Sequence, residues 1–177
     1  MRLREVHGWR RVVRWIGGIV SCLVGFVVFA ARARYGAIYG DVPVTERFFG
    51  GGSVGQRGFS ERRLSPYVAG DVMGTNRYVP YGGAAMVETG VESRIPITTI
   101  KGMPLGGVVF VDGGDVTETT SQLNLSHLHW AAGVGLRLHT IVGPVRADFG
   151  YRLNRTGAAD PDPGSHYAFH LSIGEAY

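Results

Sequence analysis

The 177-residue sequence predicts an all-β protein whose strands form part of an antiparallel transmembrane β-barrel. Three observations carry that expectation. Stretches of period-two alternation recur along the chain, each roughly 9–13 residues long, against ~5–6 for a globular strand and ~9–11 for a tilted membrane-spanning one. Their polar faces carry arginine, glutamate, histidine and glycine, while the only lysine of the chain is Lys101. Short and long connections alternate between the strands, as in outer-membrane barrels. A soluble sandwich would also have one apolar face per strand. Its other face would meet bulk water and would usually carry lysine, so the pattern favours the barrel while leaving the sandwich as the alternative.

Composition agrees and excludes several classes. Apolar residues make up 45% of the chain, too many for disorder. The 28 glycines argue against a helical bundle and for short, turn-linked strands. The net charge of +4 owes much to Arg2, Arg4, Arg10, Arg11 and Arg14, and a nucleic-acid surface would need lysines and arginines on one exposed face. The single cysteine, Cys22, excludes an intrachain disulfide framework and a cysteine zinc site.

Taken in order, the first element is ambiguous. Residues 15–31, "WIGGIVSCLVGFVVFAA", are apolar and come after a basic stretch. They fit a secretory signal with "ARA" as its cleavage site, a short membrane helix, or a strand already running from about residue 24. "IVSC" also loosely resembles a lipoprotein box. The strand gains from the next residues, because Val27, Phe29, Ala31, Ala33, Tyr35, Ala37 and Tyr39 alternate with Arg32, Arg34 and Gly36. Residues 1–21 are therefore set apart as an N-terminal segment that is signal-like, a helix or a mis-started strand, and 22–177 as barrel, with its first strand at about 24–39.

Residues 40–83 show no strong strand or helix. Strand two, about 84–97, sets Val87, Val91 and Ile95 against Glu88, Glu92 and Arg94. Strand three, about 105–113, sets Val109 and Val111 against Phe110 and Asp112. Strand four, about 128–139, opposes Leu128, Trp130, Val134, Leu136 and Leu138 to His129, Arg137 and His139. Strand five, about 143–153, opposes Val145, Phe149, Tyr151 and Leu153 to Arg146, Asp148 and Arg152. Strand six, about 167–177, opposes Tyr167, Phe169, Leu171 and Ile173 to Ala168, His170 and Gly174. No formal charge falls on an apolar face before Glu175. Turns at 98–104 and 140–143 alternate with loops at 115–127 and 154–166, the last with turn chemistry in "DPDPG"; this places the long loops outside the cell. Six strands are fewer than the eight of the smallest membrane barrels, and an open edge cannot face lipid. The chain is thus expected to be the C-terminal part of a longer barrel, or the product of a truncated gene.

Five stretches resemble one family. "ERFFGGGSVGQRGF" (46–59) looks like the glycine-rich lead and Val-Arg-Gly-Phe motif of the BamA/TamA family of outer-membrane assembly barrels, also called bacterial surface antigens. "GGAAMVETGVESRIPI", "GVVFVDGGDV", "GPVRADFGYRL" and the ending "FHLSIGEAY" resemble that family's last strands, in order, and the ending and "RGFSERRLSP" look closer to the TamA side. The resemblance implies a sixteen-stranded barrel of which this chain holds about the last six strands, preceded by periplasmic POTRA domains. It implies a location in the bacterial outer membrane and an activity that inserts or translocates other proteins there. It implies partners too: outer-membrane lipids, unfolded outer-membrane or autotransporter clients, and periplasmic or inner-membrane assembly proteins.

The resemblance also assigns residues. The motif Arg57, followed by Gly58 and Phe59, would fold into the lumen and meet Glu92 and Asp112, with Phe110 packing against the loop. The alternation independently places both acids on the polar face. The competing possibility is a solvated arginine on a surface loop. Where the family usually has valine this chain has Gln56, a residue that suits an external loop position. Phe169, Leu171, Ile173, Gly174 and the final Tyr177 would form the terminal assembly signal.

Enzyme-like patterns are weak. Gly50, Gly52 and Gly55 match a dinucleotide spacing, but no apolar helix comes after them. Glu88 and Glu92 share a strand face ~13 Å apart, too far for a glycosidase pair. His127 and His129 could place two imidazoles on one strand face, but no third ligand accompanies them. Trp130, Tyr151, Tyr167 and Tyr177 are candidates for interface anchors or for ordinary lipid-facing packing. The sequence therefore predicts no catalytic residue, metal, cofactor or nucleic-acid partner. Two other functions compete: a structural or passive outer-membrane pore fragment, and an inner-membrane protein anchored by 15–31.

Overall fold

The computed structural model of the chain describes residues 16–24, 27–41, 43–72, 75–154 and 165–174. Its main element is a seven-stranded antiparallel sheet in the order β1-β2-β5-β6-β7-β8-β9. The strands are β1 (Ile16–Val24), β2 (Val27–Ala37), β5 (Ala85–Ile100), β6 (Met103–Thr117), β7 (His129–Thr140), β8 (Gly143–Arg152) and β9 (Tyr167–Ile173). Two further strands, β3 (Tyr67–Val72) and β4 (Thr75–Pro80), pair only with each other.

The sheet is inverted relative to a soluble protein. Val91, Val109, Val134, Leu136, Phe149, Phe169, Leu171 and Ile173 stand exposed on one face, and Leu171 is 70% exposed. Glu88, Glu92, Asp112, Arg137, Arg146 and Asp148 are buried on the other. Such an arrangement is stable where hydrocarbon replaces water outside, because burial of apolar surface is then supplied by lipid. Trp130, Tyr151 and Tyr167 all lie on the outer face near the long-loop ends of their strands, and the Phe149 and Tyr167 rings stack at 5.9 Å. That is where an interfacial aromatic girdle belongs.

Short and long connections alternate as expected, but the short ones are tighter. β5 and β6 extend past the predicted strand ends to 16 and 15 residues and leave only Lys101 and Gly102 between them. Both turn residues have positive φ, 49° and 81°, the geometry a two-residue primed hairpin turn requires. A bulge between Pro96 and Thr98 shifts the register on the way. Thr98, Thr99 and Pro104 lack apolar alternation, so this extension leaves no trace in the hydrophobic pattern.

Three expectations need correction. The stretch 16–24 is a strand, pairing from Ile16 opposite Tyr35 to Val24 opposite Val27. Its sequence is ambiguous because both alternating positions carry apolar residues, which erases the period-two contrast. Residues 40–83 hold regular structure after all, a 3-10 turn at Val44–Glu46 and the β3–β4 hairpin. Gly70, Asp71, Asn76 and Arg77 interrupt the β-forming tyrosines and valines there and hide the strands. His127 ends the 3-10 turn Leu125–His127, whereas His129 opens β7, so they do not form an imidazole pair on one strand face. Residues 1–15, all of "DPDPG", Glu175 and Tyr177 lie outside the described residues.

The segment between β2 and β5 turns back over the polar face. Its root is fixed by two bridges, Phe48 with Gly83 and Gly50 with Leu64. Ile38, Phe48, Phe59, Leu64, Met86 and Val116 make a small apolar core between loop and sheet. Gly51 and Gly52, at φ 90° and 97°, turn the chain so that 53–58 reach the middle of the wall.

Candidate functional site: the arginine loop on the polar wall

Arg57 is the centre of the site, and it is 1% exposed. Its Nε donates to Asp112 Oδ2 at 2.7 Å and its Nη2 to Asp112 Oδ1 at 2.9 Å, a bidentate pair. The Arg57 backbone N–H adds a third bond to Asp112 Oδ2 at 3.1 Å. Nη1 donates to Glu92 Oε2 at 2.8 Å, and Glu92 Oε1 accepts from Arg94 Nε at 2.6 Å. The guanidinium lies 3.6 Å from the centroid of the Phe110 ring. Glu92 on β5 and Phe110 on β6 are directly opposed in register, and Asp112 lies two residues further along β6. A hairpin pair thus aims two carboxylates and a ring at one point. Burial by itself would lower the Arg57 pKa; the bonds to Asp112 and the attraction of Asp112 and Glu92 outweigh it and hold the group above the ordinary arginine value.

The expected residues Arg57, Glu92, Phe110 and Asp112 therefore meet. Gly58 and Phe59 continue from Arg57 into the wall. Phe59 is 3% exposed, packs edge-on against His129 at 5.6 Å and lies beneath the Arg152 guanidinium at 3.7 Å. Phe169, Leu171 and Ile173 lie elsewhere, on the exposed outer face of β9. Gly174, at φ 111°, closes that strand by donating to the Pro144 carbonyl at 2.8 Å.

Gln56 departs from its expected position. It is buried, not external: Nε2 donates to the His129 carbonyl at 3.0 Å, and Oε1 accepts from the Gly58 N–H at 2.8 Å. Its side chain thus closes the turn that presents Arg57. Gln56→Val should cost about 1–3 kcal/mol by leaving the buried Gly58 N–H without its acceptor. A lower denaturant midpoint, with the Arg57–Asp112 distance preserved in a crystal structure of the variant, would check it.

Other members of the site are not singled out by the sequence, although several lie in the family-like stretches. Arg32 and Arg34 on β2, Arg146 and Arg152 on β8, and His170 on β9 also reach the loop. Glu88 pairs with Arg34 and accepts from the Gln56 N–H at 3.3 Å. Arg137 and Arg146 share Asp148, at 2.7 and 3.1 Å. Glycines make the close approach possible. A Cβ at Gly150 would fall 2.2 Å from the Arg57 carbonyl oxygen, and one at Gly133 would fall 2.3 Å from the Phe110 ring. Glycine on the polar face of a strand signals close approach of another backbone, and that signal is present at 133 and 150. Toward the short turns the wall leaves a recess of about 350 Å³, bordered by Val28, Arg94, Val108, Arg137 and His139. Among the described residues no cluster of histidine, cysteine or carboxylate side chains could hold a metal ion.

Comparison with known proteins bears on the whole arrangement. Residues 19–177 match the family model of the Omp85 superfamily domain. Among solved structures, the crystal structure of BamA from Haemophilus ducreyi lacking POTRA domains 1–3 is similar, with a TM-score of 0.63 at 19% sequence identity. The likeness covers 89% of this chain and 32% of that one, so the chain spans about a third of the length of the protein it resembles. At that identity the likeness shows the fold, an antiparallel barrel portion. These matches do not separate the TamA side of the family from the BamA side.

Proposed function

The chain belongs to the Omp85 superfamily, and from that premise we propose that it supplies C-terminal strands to a bacterial outer-membrane barrel that inserts or translocates other proteins. Members of this family are outer-membrane assembly proteins rather than enzymes. The clients of the proposed barrel are unfolded β-barrel proteins or autotransporters, and it works with periplasmic or inner-membrane assembly partners in contact with outer-membrane lipids. The barrel portion starts with β1, Ile16–Val24, and the strand of Phe169, Leu171, Ile173 and Gly174 serves as its own assembly signal.

The observation that supports this reading best is the buried attachment of Arg57 to Asp112 and Glu92. An inserted loop also narrows passive pores, but there it has no need of a multiply bonded arginine lock. A protein that must hold a loop in one state and release it in another has a use for such a lock. Breaking a buried pair is costly, and so the lock gives two well-separated states.

The test is Arg57→Ala in the full-length parent protein, read as insertion of a reporter barrel into liposomes. Insertion should fall at least five-fold, and the loss should be partly repaired by a compensating change at Asp112 or Glu92. Wild-type insertion in Arg57→Ala, Glu92→Gln and Asp112→Asn alike would refute the lock. Ion conductance without any effect on insertion would instead favour the passive pore.

A further inference from the structure

The loop tip is held in two chemically different ways. One is the Arg57 side chain. The other is the main chain, for which every carbonyl from Ser53 to Gly58 has a partner. Arg146 Nη2 donates to the Ser53 carbonyl at 3.0 Å. Arg34 Nη2 donates to Val54 at 2.6 Å, and Arg32 donates to both Val54 and Gly55. The Gln56 carbonyl accepts from the Phe59 N–H at 3.2 Å, within the loop. His170 Nε2 faces the Arg57 carbonyl at 3.2 Å, and Arg152 Nε donates to Gly58 at 3.0 Å. Donors from three strands, β2, β8 and β9, thus read a stretch of backbone without regard to its side chains.

Side-chain selection acts at Gln56, whose Nε2 donates to the His129 carbonyl, and at the three positions after it. Of those three, the first must offer a planar, bidentate cation to Asp112 while also reaching Glu92. The second must be glycine, because a Cβ there would fall 2.4 Å from the Ala131 Cβ. The third fills the site between His129 and Arg152 with an aromatic ring. A surface that reads main chain along its length and glutamine, arginine, glycine and an aromatic residue in succession is a peptide-binding groove.

We propose that the polar wall is such a groove, that the loop is its tethered occupant, and that on loop withdrawal it accepts a Gln-Arg-Gly-aromatic segment of a second polypeptide in the same turn, closed by the Phe59-type N–H to Gln56-type carbonyl bond. Tethering gives the loop a high effective concentration, which keeps the groove filled until something draws the loop away. The groove would do this whether or not the barrel inserts proteins, so the two ideas can fail separately.

The experiment uses the full-length parent protein in detergent, with the loop altered in two ways. In one, residues 51–61 are replaced by two glycines; in the other, Gly58→Leu keeps the loop at full length but clashes with Ala131. Heat-modifiability on gels shows that each is folded. The probe is a fluorescein-labelled peptide of residues 53–60, SVGQRGFS, followed by anisotropy. It should bind both forms saturably and should not bind the wild-type chain, whose groove is full. Changing the peptide glycine to alanine, or its arginine to lysine, should weaken binding at least ten-fold, as should Asp112→Asn in the chain. No saturable binding to either folded form would overturn the proposal, and so would equal binding of the alanine-for-glycine peptide. Wild-type insertion activity, measured in parallel, reports separately on the assembly role.

Discussion

Asp112→Ala is expected to release the loop. Asp112 is 0% exposed and accepts three bonds from Arg57, one from the backbone and two from the guanidinium. Its loss leaves a buried cation with Glu92 as its remaining acid partner, and Glu92 is shared with Arg94. Removing one partner of a buried pair costs about 3–5 kcal/mol. The docked loop cannot absorb that, so the tip will leave the wall, and Arg57 with it. Trypsin reads the outcome directly, since cleavage after Arg57 requires exposure that the docked state denies. Cleavage should accelerate roughly 100–4000-fold, the same free energy expressed as a population. Glu92→Gln should do less, because one bond from Arg57 is at stake and the amide oxygen can still accept it. Unchanged cleavage in Asp112→Ala would mean that the carbonyl bonds alone hold the tip. A double-mutant cycle of Arg57→Ala and Asp112→Ala, from denaturant midpoints, should show strong coupling between the two.

Gly150→Ala should have a comparable effect by a different route. The added methyl would fall 2.2 Å from the Arg57 carbonyl oxygen, 2.7 Å from its carbon and 3.0 Å from the Gly58 nitrogen. All three are loop backbone atoms, so no rotamer change relieves the clash. Overpacking of this kind costs about 1–3 kcal/mol, and here the easiest relief is to lift the loop. Every charged partner of the lock remains present, yet cleavage after Arg57 should rise. Gly70→Ala is the control, since nothing lies within 4 Å of a Cβ there and its backbone is not in the left-handed region. A Gly150→Ala chain with wild-type cleavage would show that the wall can yield beneath the loop.

The parts of this protein that alternate cleanly are legible in its sequence. From Ala85 onward, apart from the bulged β5–β6 extension at 96–104, the assignment of strand residues to lipid or wall comes from parity alone, because membrane and lumen impose opposite chemistry on adjacent positions. The same parity brings Glu92, Phe110 and Asp112 to one face with no partner yet in view. Legibility fails where that contrast is missing. Ile16–Val24 is apolar at both parities, and Tyr67–Val72 belongs to a hairpin without an apolar stripe. It fails again for Gln56, whose burial depends on an acceptor, the His129 carbonyl, 73 residues away along the chain. The inward direction of Arg32, Arg34, Arg146, Arg152 and His170 can be read from alternation, but that they bind main-chain carbonyls is a fact of the third dimension.

The use of arginines against carbonyl oxygens leaves an imbalance with an electrical meaning. The wall carries Arg32, Arg34, Arg94, Arg137, Arg146 and Arg152 on its strands, opposed by Glu88, Glu92, Asp112 and Asp148. While the loop is docked, neutral oxygens occupy the surplus cations. Once it leaves, Arg57 goes with it and bares Glu92 and Asp112, yet six arginines still face water against four carboxylates, and a positively lined passage concentrates counter-ions of the opposite sign. The part of the pore that this chain lines should therefore pass chloride in preference to potassium whenever the loop is out. Reversal potentials across a salt gradient would then report the position of the loop, one molecule at a time.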